Sequence, residues 1–290
     1  MSDKNTVFNQ KKTINAGGRL IDFSIPKVMG IINITPDSFY SGSRFGSVDL
    51  ALKAAEEMLK DGADFLDLGS YSSRPGAEDI TEEEEKARLI PAVKSIKKKF
   101  PDAILSIDTF RSGVAAAAIH EGAHIINDIS GGALDSKMAE TAAHFNVPYI
   151  LMHMKGTPQN MNQMAVYEDI LGEMMRYFSL KIKHLTEAGV KDIIIDPGFG
   201  FAKTIEQNFE LLKKFELFHM AGLPLLAGLS RKSTIWRTLN IKSEDALNGT
   251  TVLNTIALMK GADILRVHDV KAAVEAVKLV ERLGNNRAIN

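Results

Sequence analysis

The sequence contains no cysteine among its 290 residues. The chain therefore cannot form a disulfide, a thiolate nucleophile, an iron–sulfur cluster or a cysteine-ligated zinc site. No apolar run approaches the roughly 18 residues that span a bilayer, and the polar N-terminal segment 1–13 lacks the apolar core of an export signal. We predict a cytoplasmic protein whose chemistry depends on carboxylates, histidine, lysine and arginine.

An excess of charge of either sign is also missing. Lysine and arginine number 35 against 36 acidic residues, which gives a formal net charge of −1. This balance gives no electrostatic reason to expect nucleic acid or a membrane surface as a partner. The expected partners are small molecules.

Short apolar, β-branched segments alternate with amphipathic stretches about eight times along the chain. The candidate strands are Val28–Asn33, Phe65–Gly69, Ile104–Asp108, Ile125–Ile129, Tyr149–Met154, Ile193–Asp196, Leu225–Gly228 and Ile264–Val267. Their nearly continuous apolar character indicates burial on both faces, as in a parallel sheet covered by helices. The sequence predicts an α/β protein with one (β/α)8 TIM barrel over residues 1–290. A doubly wound open sheet is the alternative, but the glycine fingerprint expected after its first strand is absent.

Punctuating residues support the same architecture. Segment Thr13–Pro26 predicts a short N-terminal hairpin that closes the bottom of the barrel. Residues 1–12 and 284–290 are predicted to be flexible ends. Thr81 followed by Glu84 predicts a capping box at the start of a helix. Helix ends are predicted at Gly62, Gly122, Gly222 and Gly261, each one to three residues before an apolar strand.

Polar side chains collect where the predicted strands end. In order along the chain they are Asn33, Ser70 to Arg74, Asp108, Asn127, Asp128, His153, Asp196, Ser230, Arg231, Lys232, Arg266 and His268. In a (β/α)8 barrel the active site lies at the carboxyl ends of the strands. These residues are therefore the candidate active site.

Several of these residues also have a structural interpretation. Asp108 is as consistent with a cap of the helix that begins near Arg111 as with a ligand contact. Asp37 is equally suited to a turn. Asp269 is predicted to cap the last helix and is excluded from the site.

Two pairs favour a ligand over a structural role. Asn127 and Asp128 end an apolar run, and burying an amide beside a carboxylate is costly without a ligand or a polar network. Arg231 and Lys232 precede a predicted helix N-terminus, with hydroxyl groups on either side, and this combination predicts an anion site.

One motif suggests a different enzyme class. The segment His120–His124 matches the HExxH pattern of zinc proteases, in which two histidines share one helix face. Gly122 is predicted to end the helix, so the two imidazoles would not share a face. They would also lie at the noncatalytic end of the barrel. The metalloprotease interpretation is disfavoured.

Taken together, the strand-end motifs resemble the dihydropteroate synthase family from about Val28 to Val280. The matching segments are Met29–Phe39, Ser73–Gly76, Ser106–Thr109, Asn127–Ile129, Met152–Met154, Asp196–Phe201, Ser230–Ser233 and Arg266–Val270. The resemblance implies condensation of 6-hydroxymethyl-7,8-dihydropterin pyrophosphate with p-aminobenzoate, inhibition by sulfonamides, and a homodimer.

The resemblance also implies a role for each matching residue. The pterin ring would be bound by Asp108, Asn127, Asp196 and Lys232. The pyrophosphate would be bound by Asn33, Arg74, Arg266 and His268, with Asn33 as the protein ligand of a Mg2+ cofactor. The p-aminobenzoate would be bound by Phe39, Ser73, Pro75, Phe201, Lys232 and Ser233. The residues implied in catalysis are Asn33, Asp108, Lys232, Arg266 and His268.

The sequence departs from the family pattern in two loops. The second βα loop has Tyr71 where the family usually has glutamate, although the family's hydroxyl group is kept at Ser73. The first loop has Ser41-Gly42-Ser43 in place of Asp-Gly-Gly. Both changes remove acidic groups that lie near the implied p-aminobenzoate site.

Two other functions remain open. A pterin-binding methyltransferase on the same barrel, which passes a methyl group from a methylated folate to a corrinoid protein, would share the pterin residues. It would need no pyrophosphate site. A noncatalytic pterin carrier would bind the pterin without releasing pyrophosphate. The anion-binding residues favour the synthase over both.

Overall fold

The computed structural model describes residues 11–34, 44–72 and 79–283. Within them the strands are β1 (Thr13–Ala16), β2 (Arg19–Asp22), β3 (Lys27–Asn33), β4 (Phe65–Gly69), β5 (Ile104–Asp108), β6 (Ile125–Asp128), β7 (Tyr149–Met152), β8 (Ile193–Asp196), β9 (Leu226–Ala227) and β10 (Ile264–Val267). The α-helices are α1 (Arg44–Lys60), α2 (Glu82–Lys99), α3 (Ser112–His120), α4 (Met138–Phe145), α5 (Ile170–Glu187), α6 (Ile205–Lys213), α7 (Ser233–Leu239), α8 (Leu247–Met259) and α9 (Val270–Arg282).

Eight of the described strands form one parallel sheet, in the order β8-β7-β6-β5-β4-β3-β10-β9. A further parallel bridge between Ile195 and Leu225 joins its two edges. The sheet therefore closes into the predicted (β/α)8 barrel. Strands β1 and β2 pair antiparallel across Gly17 and Gly18, which confirms the N-terminal hairpin.

The bottom of the barrel interior is apolar. One residue from each barrel strand contributes to a single buried cluster: Met29, Phe65, Ile104, Ile125, Ile150, Ile194, Leu226 and Ile264. Ile14, Ala16 and Phe23 of the hairpin segment belong to the same cluster. Their burial at the strand starts means that the hairpin seals this end of the barrel.

The next interior layer is largely polar. Side chains alternate between the two faces of a strand, so the residue two positions further on points into the barrel again. This step leads to Ile31, Asp67, Ser106, Asn127, Met152, Asp196, Gly228 and Arg266. A further step reaches Asn33, Asp108 and His268 at the open end. The polar residues of these two layers therefore lie together above the apolar cluster that fills the strand starts. We call them the polar floor.

The helices cover the outer face of the barrel. Helices α1, α2 and α3 pack on the outward residues of β3, β4 and β5, and a second cluster covers the remaining strands. The predicted capping box is present, because Thr81 Oγ1 accepts from the Glu84 amide and the Glu84 carboxylate accepts from the Thr81 amide. Gly62, Gly122, Gly222 and Gly261 have positive φ where their helices end, as predicted.

Most strand boundaries agree with the sequence prediction. The prediction was wrong at Ile129, at His153 and Met154, and at Gly228, which lie just beyond their strands. Lys11 and Lys12 were predicted within a flexible end, yet the Lys11 amide donates to Gly222 O at 2.9 Å and Lys12 O accepts from the Phe23 amide at 2.8 Å. Within the described residues no helix is long and apolar enough to cross a membrane.

Candidate active site

A buried carboxylate organises the polar floor. Asp67 Oδ2 accepts from Arg266 Nε at 2.6 Å and from Asn127 Nδ2 at 2.9 Å. The other nitrogen arm of the guanidinium, Nη2, donates to Asp108 Oδ2 at 2.6 Å. Asp67 is fully buried, whereas the Arg266 and Asp108 side chains are 18% and 23% exposed. Asp67 therefore fixes groups from two other strands beneath the open end.

This arrangement shifts the ionisation of its members. Burial raises the pKa of Asp108 to about 7; Arg266 opposes the shift and Asp67 adds to it. Burial opposes the Arg266 charge, but the two carboxylates raise its pKa above the ordinary value. Asp108 therefore changes charge near neutral pH while Arg266 stays cationic.

Asp196 and Lys232 form a second group of charged side chains on the polar floor, across from Asp67 and Asp108. A Cβ placed on Gly228 would lie 3.8 Å from Lys232 Nζ and 3.9 Å from Asp196 Oδ2, so both groups approach the same bare backbone. Burial raises the pKa of Asp196, and the Lys232 ammonium opposes this rise. Burial lowers the pKa of Lys232 to about 8. The missing side chain at position 228 leaves the backbone between these two groups uncovered.

The loop after β8, residues 197–203, adds an aromatic wall. Lys232 Nζ donates to Phe199 O and lies 4.6 Å from the centroid of the Phe201 ring. Ser233 follows as the first residue of α7 and is half-buried. Phe201 and Ser233, both predicted for p-aminobenzoate, therefore lie next to Lys232.

His153 lies away from the barrel mouth. It is buried, its Nδ1 lies 3.1 Å from Lys203 Nζ, and its ring packs edge-on against Tyr177 at 4.9 Å between centroids. Burial lowers the pKa of His153 to about 2, so the imidazole is neutral. Its position in the sequence at the end of β7 suggested a place on the rim; its side chain instead supports the loop after β8.

The predicted anion site keeps one of its two cations. Arg231 donates through Nε and Nη2 to the Asp269 carboxylate, at 2.8 Å each, and through Nη1 to Glu244 O at 2.8 Å. The Arg231 guanidinium therefore has a structural role, and its prediction as part of an anion site was wrong. Asp269 occupies the predicted N-cap position of α9, but its carboxylate binds Arg231 and makes no capping bond to the helix.

Ser230 and His268 are joined at the edge of the floor. Ser230 Oγ lies 3.0 Å from His268 Nδ1 and accepts from the His268 amide at 3.1 Å. A hydroxyl that accepts from the backbone and contacts the ring of the same residue fixes the imidazole in one orientation. Because Ser230 contacts Nδ1, it also fixes the direction in which Nε2 of the same ring points.

Asp128 has a structural role. Its carboxylate accepts from Tyr149 Oη at 2.6 Å, from the Ser130 amide at 2.7 Å and from the Gly132 amide at 2.7 Å. These bonds hold the loop after β6. Of the pair predicted to be functional, only Asn127 faces the barrel interior.

Other predicted residues fall at or outside the edge of the described structure. Asn33 ends β3 and is half-buried. Phe39, Ser73, Arg74 and Pro75 lie outside the described residues, as do Asp37 and Ser41. Among the residues that are described, no group of three or more histidine and acidic side chains could hold a metal ion.

Tyr71, the departure from the family pattern, connects three strand-end loops. Its ring packs edge-on against Phe110 at 4.9 Å, and the Arg111 guanidinium lies 5.4 Å from its centroid. Its hydroxyl accepts from Gln159 Nε2 at 2.8 Å. The aromatic residue thus fixes the start of the second βα loop.

The sequence prediction missed Asp67 and Lys203. Asp67 interrupts the apolar strand Phe65–Gly69, and a carboxylate in a strand buried on both faces needs partners. That signal was available. Lys203 follows a glycine-rich loop and looks like an exposed loop lysine, so its burial could not be predicted from the sequence pattern.

Comparisons with known proteins agree with this geometry. The family model described as pterin binding enzyme matches residues 29–268. A dihydropteroate synthase from Escherichia coli is 43% identical over 272 residues, covering 92% of this chain and 94% of that protein. The structure of the Yersinia pestis dihydropteroate synthase with a sulfonamide drug superposes with a TM-score of 0.88 at 40% identity, covering 94% and 99% of the two chains. The Xanthomonas albilineans enzyme in complex with 7,8-dihydropteroate superposes with a TM-score of 0.85 at 33% identity, covering 94% and 99%.

A closed parallel barrel with a carboxylate-rich floor and a pterin-binding family match defines the class as the pterin-binding (β/α)8 enzymes. Most of the chain aligns with one type of enzyme within that class. The chain belongs to the dihydropteroate synthase family.

Proposed function

We propose that this chain condenses 6-hydroxymethyl-7,8-dihydropterin pyrophosphate with p-aminobenzoate to give 7,8-dihydropteroate and pyrophosphate. The observation that carries the proposal is the polar floor, where Asp67 holds Asn127 and Arg266, Arg266 holds Asp108, and Asp196 and Lys232 approach the bare backbone of Gly228. Relatives bind a sulfonamide in one structure and 7,8-dihydropteroate in another, and both ligands contain the aniline group of p-aminobenzoate.

The pterin ring offers hydrogen-bond groups that this floor complements. Its amidine edge carries adjacent N–H donors, which a single carboxylate can accept together, and Asp196 supplies that carboxylate. Asn127 can accept from the exocyclic amine and donate to a ring nitrogen, although its Nδ2 already shares a bond with Asp67. Lys232 donates toward the ring carbonyl. Hydrogen bonds to the ring from several strands make binding selective, because each buried polar group left without a partner costs about 1–3 kcal/mol.

The pyrophosphate would lie at the open end of the floor. Arg266 keeps Nη1 for a ligand, since no described residue accepts a hydrogen bond from it, and His268 lies on the same strand end. Asp67 and Asp108 hold the guanidinium in one orientation, so it would not need to reorganise as the leaving group acquires charge. Arg74, which lies outside the described residues, is proposed as a second anion contact.

Asn33 is the proposed protein ligand for Mg2+. Magnesium usually keeps several waters and takes one or two protein oxygens together with phosphate oxygens. A single half-buried carboxamide at the end of β3 fits such a sparse site, whereas a site built only of protein groups would need a cluster of acidic residues. When bound, the ion would neutralise charge on the departing pyrophosphate.

The carbon–oxygen bond to pyrophosphate breaks first in the proposed sequence, which leaves a cationic methylene group on the pterin. The amine of p-aminobenzoate then attacks this carbon and loses a proton. No protein nucleophile is needed. Phe201, Lys232 and Ser233 form the described part of the amine substrate's pocket, and Phe39, Ser73 and Pro75 are proposed to complete it. Catalysis consists of positioning the amine and stabilising the leaving anion.

A homodimer is the proposed assembly. Helix α8 exposes an apolar stripe with Val252 50%, Ile256 37% and Met259 50% accessible. The adjoining segment 215–221 exposes Leu217 and Met220, and a salt bridge between Lys260 and Glu216 at 2.7 Å joins the two. A contiguous apolar patch of this kind marks an interaction surface. The cytoplasmic location stays a prediction.

The decisive experiment measures pyrophosphate release and dihydropteroate formation together. The purified chain is mixed with the pterin pyrophosphate and Mg2+, with and without p-aminobenzoate, and products are separated by chromatography. Equal amounts of pyrophosphate and dihydropteroate are expected when both substrates are present. Pterin binding without either product would favour the methyltransferase or the carrier, and corrinoid-dependent methyl transfer would then be assayed.

A further inference from the structure

The loop after β8, residues 197–203, has an unusual backbone. Gly198 and Gly200 have φ values of 68° and 80°, and Ala202 has a φ of 48°. A residue with a Cβ is disfavoured in this left-handed region, so the surrounding structure must hold Ala202 there. A Cβ on Gly198 would collide with the His153 carbonyl oxygen. The alternating left-handed residues make this loop depend on external contacts for its shape.

Lys203 supplies the central contacts. Its ammonium donates to Gly198 O at 3.0 Å, to Phe201 O at 2.9 Å and to His153 O at 3.3 Å. The neutral His153 ring offers Nδ1 as a fourth acceptor at 3.1 Å. Lys203 is only 9% exposed, and burial lowers its pKa to about 7. The Lys203 nitrogen is therefore buried and directed at carbonyl groups of two loops.

Two neutral side chains complete this support. Asn208 Oδ1 accepts from the Gly200 amide at 2.7 Å. Tyr167 Oη donates to Ala202 O at 2.9 Å. The backbone at positions 198, 200, 201 and 202 is thus tied to side chains that do not face the barrel interior.

The shape of this loop determines the aromatic wall of the candidate site. Phe201 projects from its centre, and Lys232 donates to Phe199 O while lying 4.6 Å from the Phe201 ring centroid. A Cβ on Gly200 would lie 3.0 Å from Lys232 Cδ, so the lysine stem passes directly over the loop backbone. Asp108 and Asn127 are carried by strands β5 and β6, whereas Asp196 at the end of β8 accepts from the Gly198 amide of this loop at 2.7 Å.

We propose that Lys203 is a positioning residue that fixes the loop after β8 and thereby sets the place of Phe201 for the p-aminobenzoate substrate. This inference rests on the function proposed above. Lys203 touches no substrate in this scheme, and it acts through the carbonyls of Gly198 and Phe201. The chemistry it serves is recognition of an aniline ring, which is shared by the substrate and by sulfonamides.

The test compares Lys203→Met with Lys97→Met. Lys97 is the matched control because its ammonium also donates to two loop carbonyls, Pro101 O at 2.6 Å and Ala103 O at 3.1 Å, at the sealed end of the barrel. Steady-state kinetics are measured for each substrate separately, together with the inhibition constant of a sulfonamide. Melting temperatures are measured on the same samples.

Lys203→Met is expected to raise the KM for p-aminobenzoate and the sulfonamide inhibition constant together by about 10-fold or more, because displacement of about 1 Å in a positioning group can cost up to about 100-fold. The KM for the pterin pyrophosphate should rise less than the KM for p-aminobenzoate, because Asp108 and Asn127 lie on strands outside this loop, while Asp196 and Lys232 each make one bond to its backbone. Lys97→Met should lower the melting temperature without this split. Equal effects on both substrates, or an unchanged KM for p-aminobenzoate, would overturn the proposal.

Tyr167→Phe gives a second reading if Lys203→Met does not fold. It deletes only the bond to Ala202 O, and we expect a rise of about threefold in the KM for p-aminobenzoate with the pterin KM unchanged. No rise in either KM would count against loop positioning. A wild-type chain with no turnover would refute the proposed function instead, so the two failures are distinguishable.

Discussion

Asp196 and Asp128 are both buried aspartates at strand ends and were both predicted as ligand groups, yet the structure gives them different surroundings. Asp196 accepts one hydrogen bond, from the Gly198 amide at 2.7 Å, and its other oxygen lies near the bare backbone of Gly228. Asp128 is surrounded by donors from its own loop and from Tyr149. The number of internal donors around a carboxylate therefore separates a ligand group from a structural one.

We expect Asp196→Asn to abolish pterin binding while the fold is retained. Asparagine keeps an oxygen for the Gly198 amide but cannot accept two pterin N–H groups at once. A loss of about 100-fold or more in affinity is expected, because an unmatched buried charge-assisted hydrogen bond costs more than a neutral one. Titration calorimetry with the pterin measures the affinity. Asp128→Asn should have the opposite pattern, with a lower melting temperature and nearly normal affinity; normal turnover by Asp196→Asn would refute the pocket assignment.

The activity should depend on pH on both sides of neutrality. Asp108 must be ionised to accept from the pterin, and its pKa of about 7 means that this form is lost as the pH falls. Lys232 must be protonated to donate, and its pKa of about 8 means that this form is lost as the pH rises. A bell-shaped profile of kcat/KM for the pterin pyrophosphate is expected. Lys232→Met should remove the alkaline limb, and a flat profile between pH 6 and 9 would contradict these assignments.

The sequence located most of the interior polar residues but could not assign partners. The period of two along apolar strands is sufficient to direct Asn127, Asp196 and Arg266 inward. The pairing of Arg231 with Asp269 joins residues 38 positions apart, and the local pattern instead suggested an anion site and a helix cap. Charge pairing between loops depends on tertiary proximity, which a single sequence does not reveal.

At the scale of elements, Tyr71 links the loops that follow β4, β5 and β7. The family's usual glutamate would carry a charge beside Asp79, whereas the tyrosine ring packs on Phe110 and bonds to Gln159. The second βα loop therefore begins from a point fixed by aromatic packing. The sequence predicted a changed loop at this position, but the partners on two other loops could be found only from the structure.

A double-mutant cycle between Tyr71→Phe and Gln159→Leu tests this link. The phenylalanine keeps the edge-on contact with Phe110 and deletes only the hydroxyl. We expect a coupling free energy of about 0.5–1.5 kcal/mol in urea unfolding, the usual worth of one hydrogen bond. Additive effects would mean that the 2.8 Å contact contributes nothing in solution.

Strand positions could be predicted well because burial on both faces leaves a continuous apolar signal. Phe65–Gly69, Ile104–Asp108, Ile193–Asp196 and Ile264–Val267 match the observed strands residue for residue. Strand β9 is shorter than predicted because Leu225 forms only an isolated bridge to Ile195. Its pairing is completed by tertiary closure of the barrel, which has no counterpart in the local sequence.

At the scale of the whole molecule, the exposed stripe on α8 predicts self-association. Ile256→Glu places a charge in the middle of this stripe, and we expect light scattering to report a monomer where the wild-type chain is a dimer. Leu20→Glu is the control, because Leu20 is 72% exposed on the β1–β2 hairpin and does not belong to the α8 stripe. A wild-type monomer, or a dimer unaffected by Ile256→Glu, would refute the proposed interface.

The hairpin that closes one end of the barrel implies an order in which the two ligands bind and dissociate. With Ile14 and Phe23 packed into the strand starts, the described residues close the barrel axis at that end and leave its carboxyl end as the way in. The residues proposed to bind the pterin lie on the polar floor, and those proposed to bind the aniline ring lie nearer the entrance. A ligand on the polar floor must then bind before the second ligand. It cannot dissociate while the second ligand occupies the entrance. An inhibitor in the outer position would prevent the pterin from dissociating. The apparent inhibition constant of such an inhibitor should therefore fall as the concentration of the pterin substrate rises.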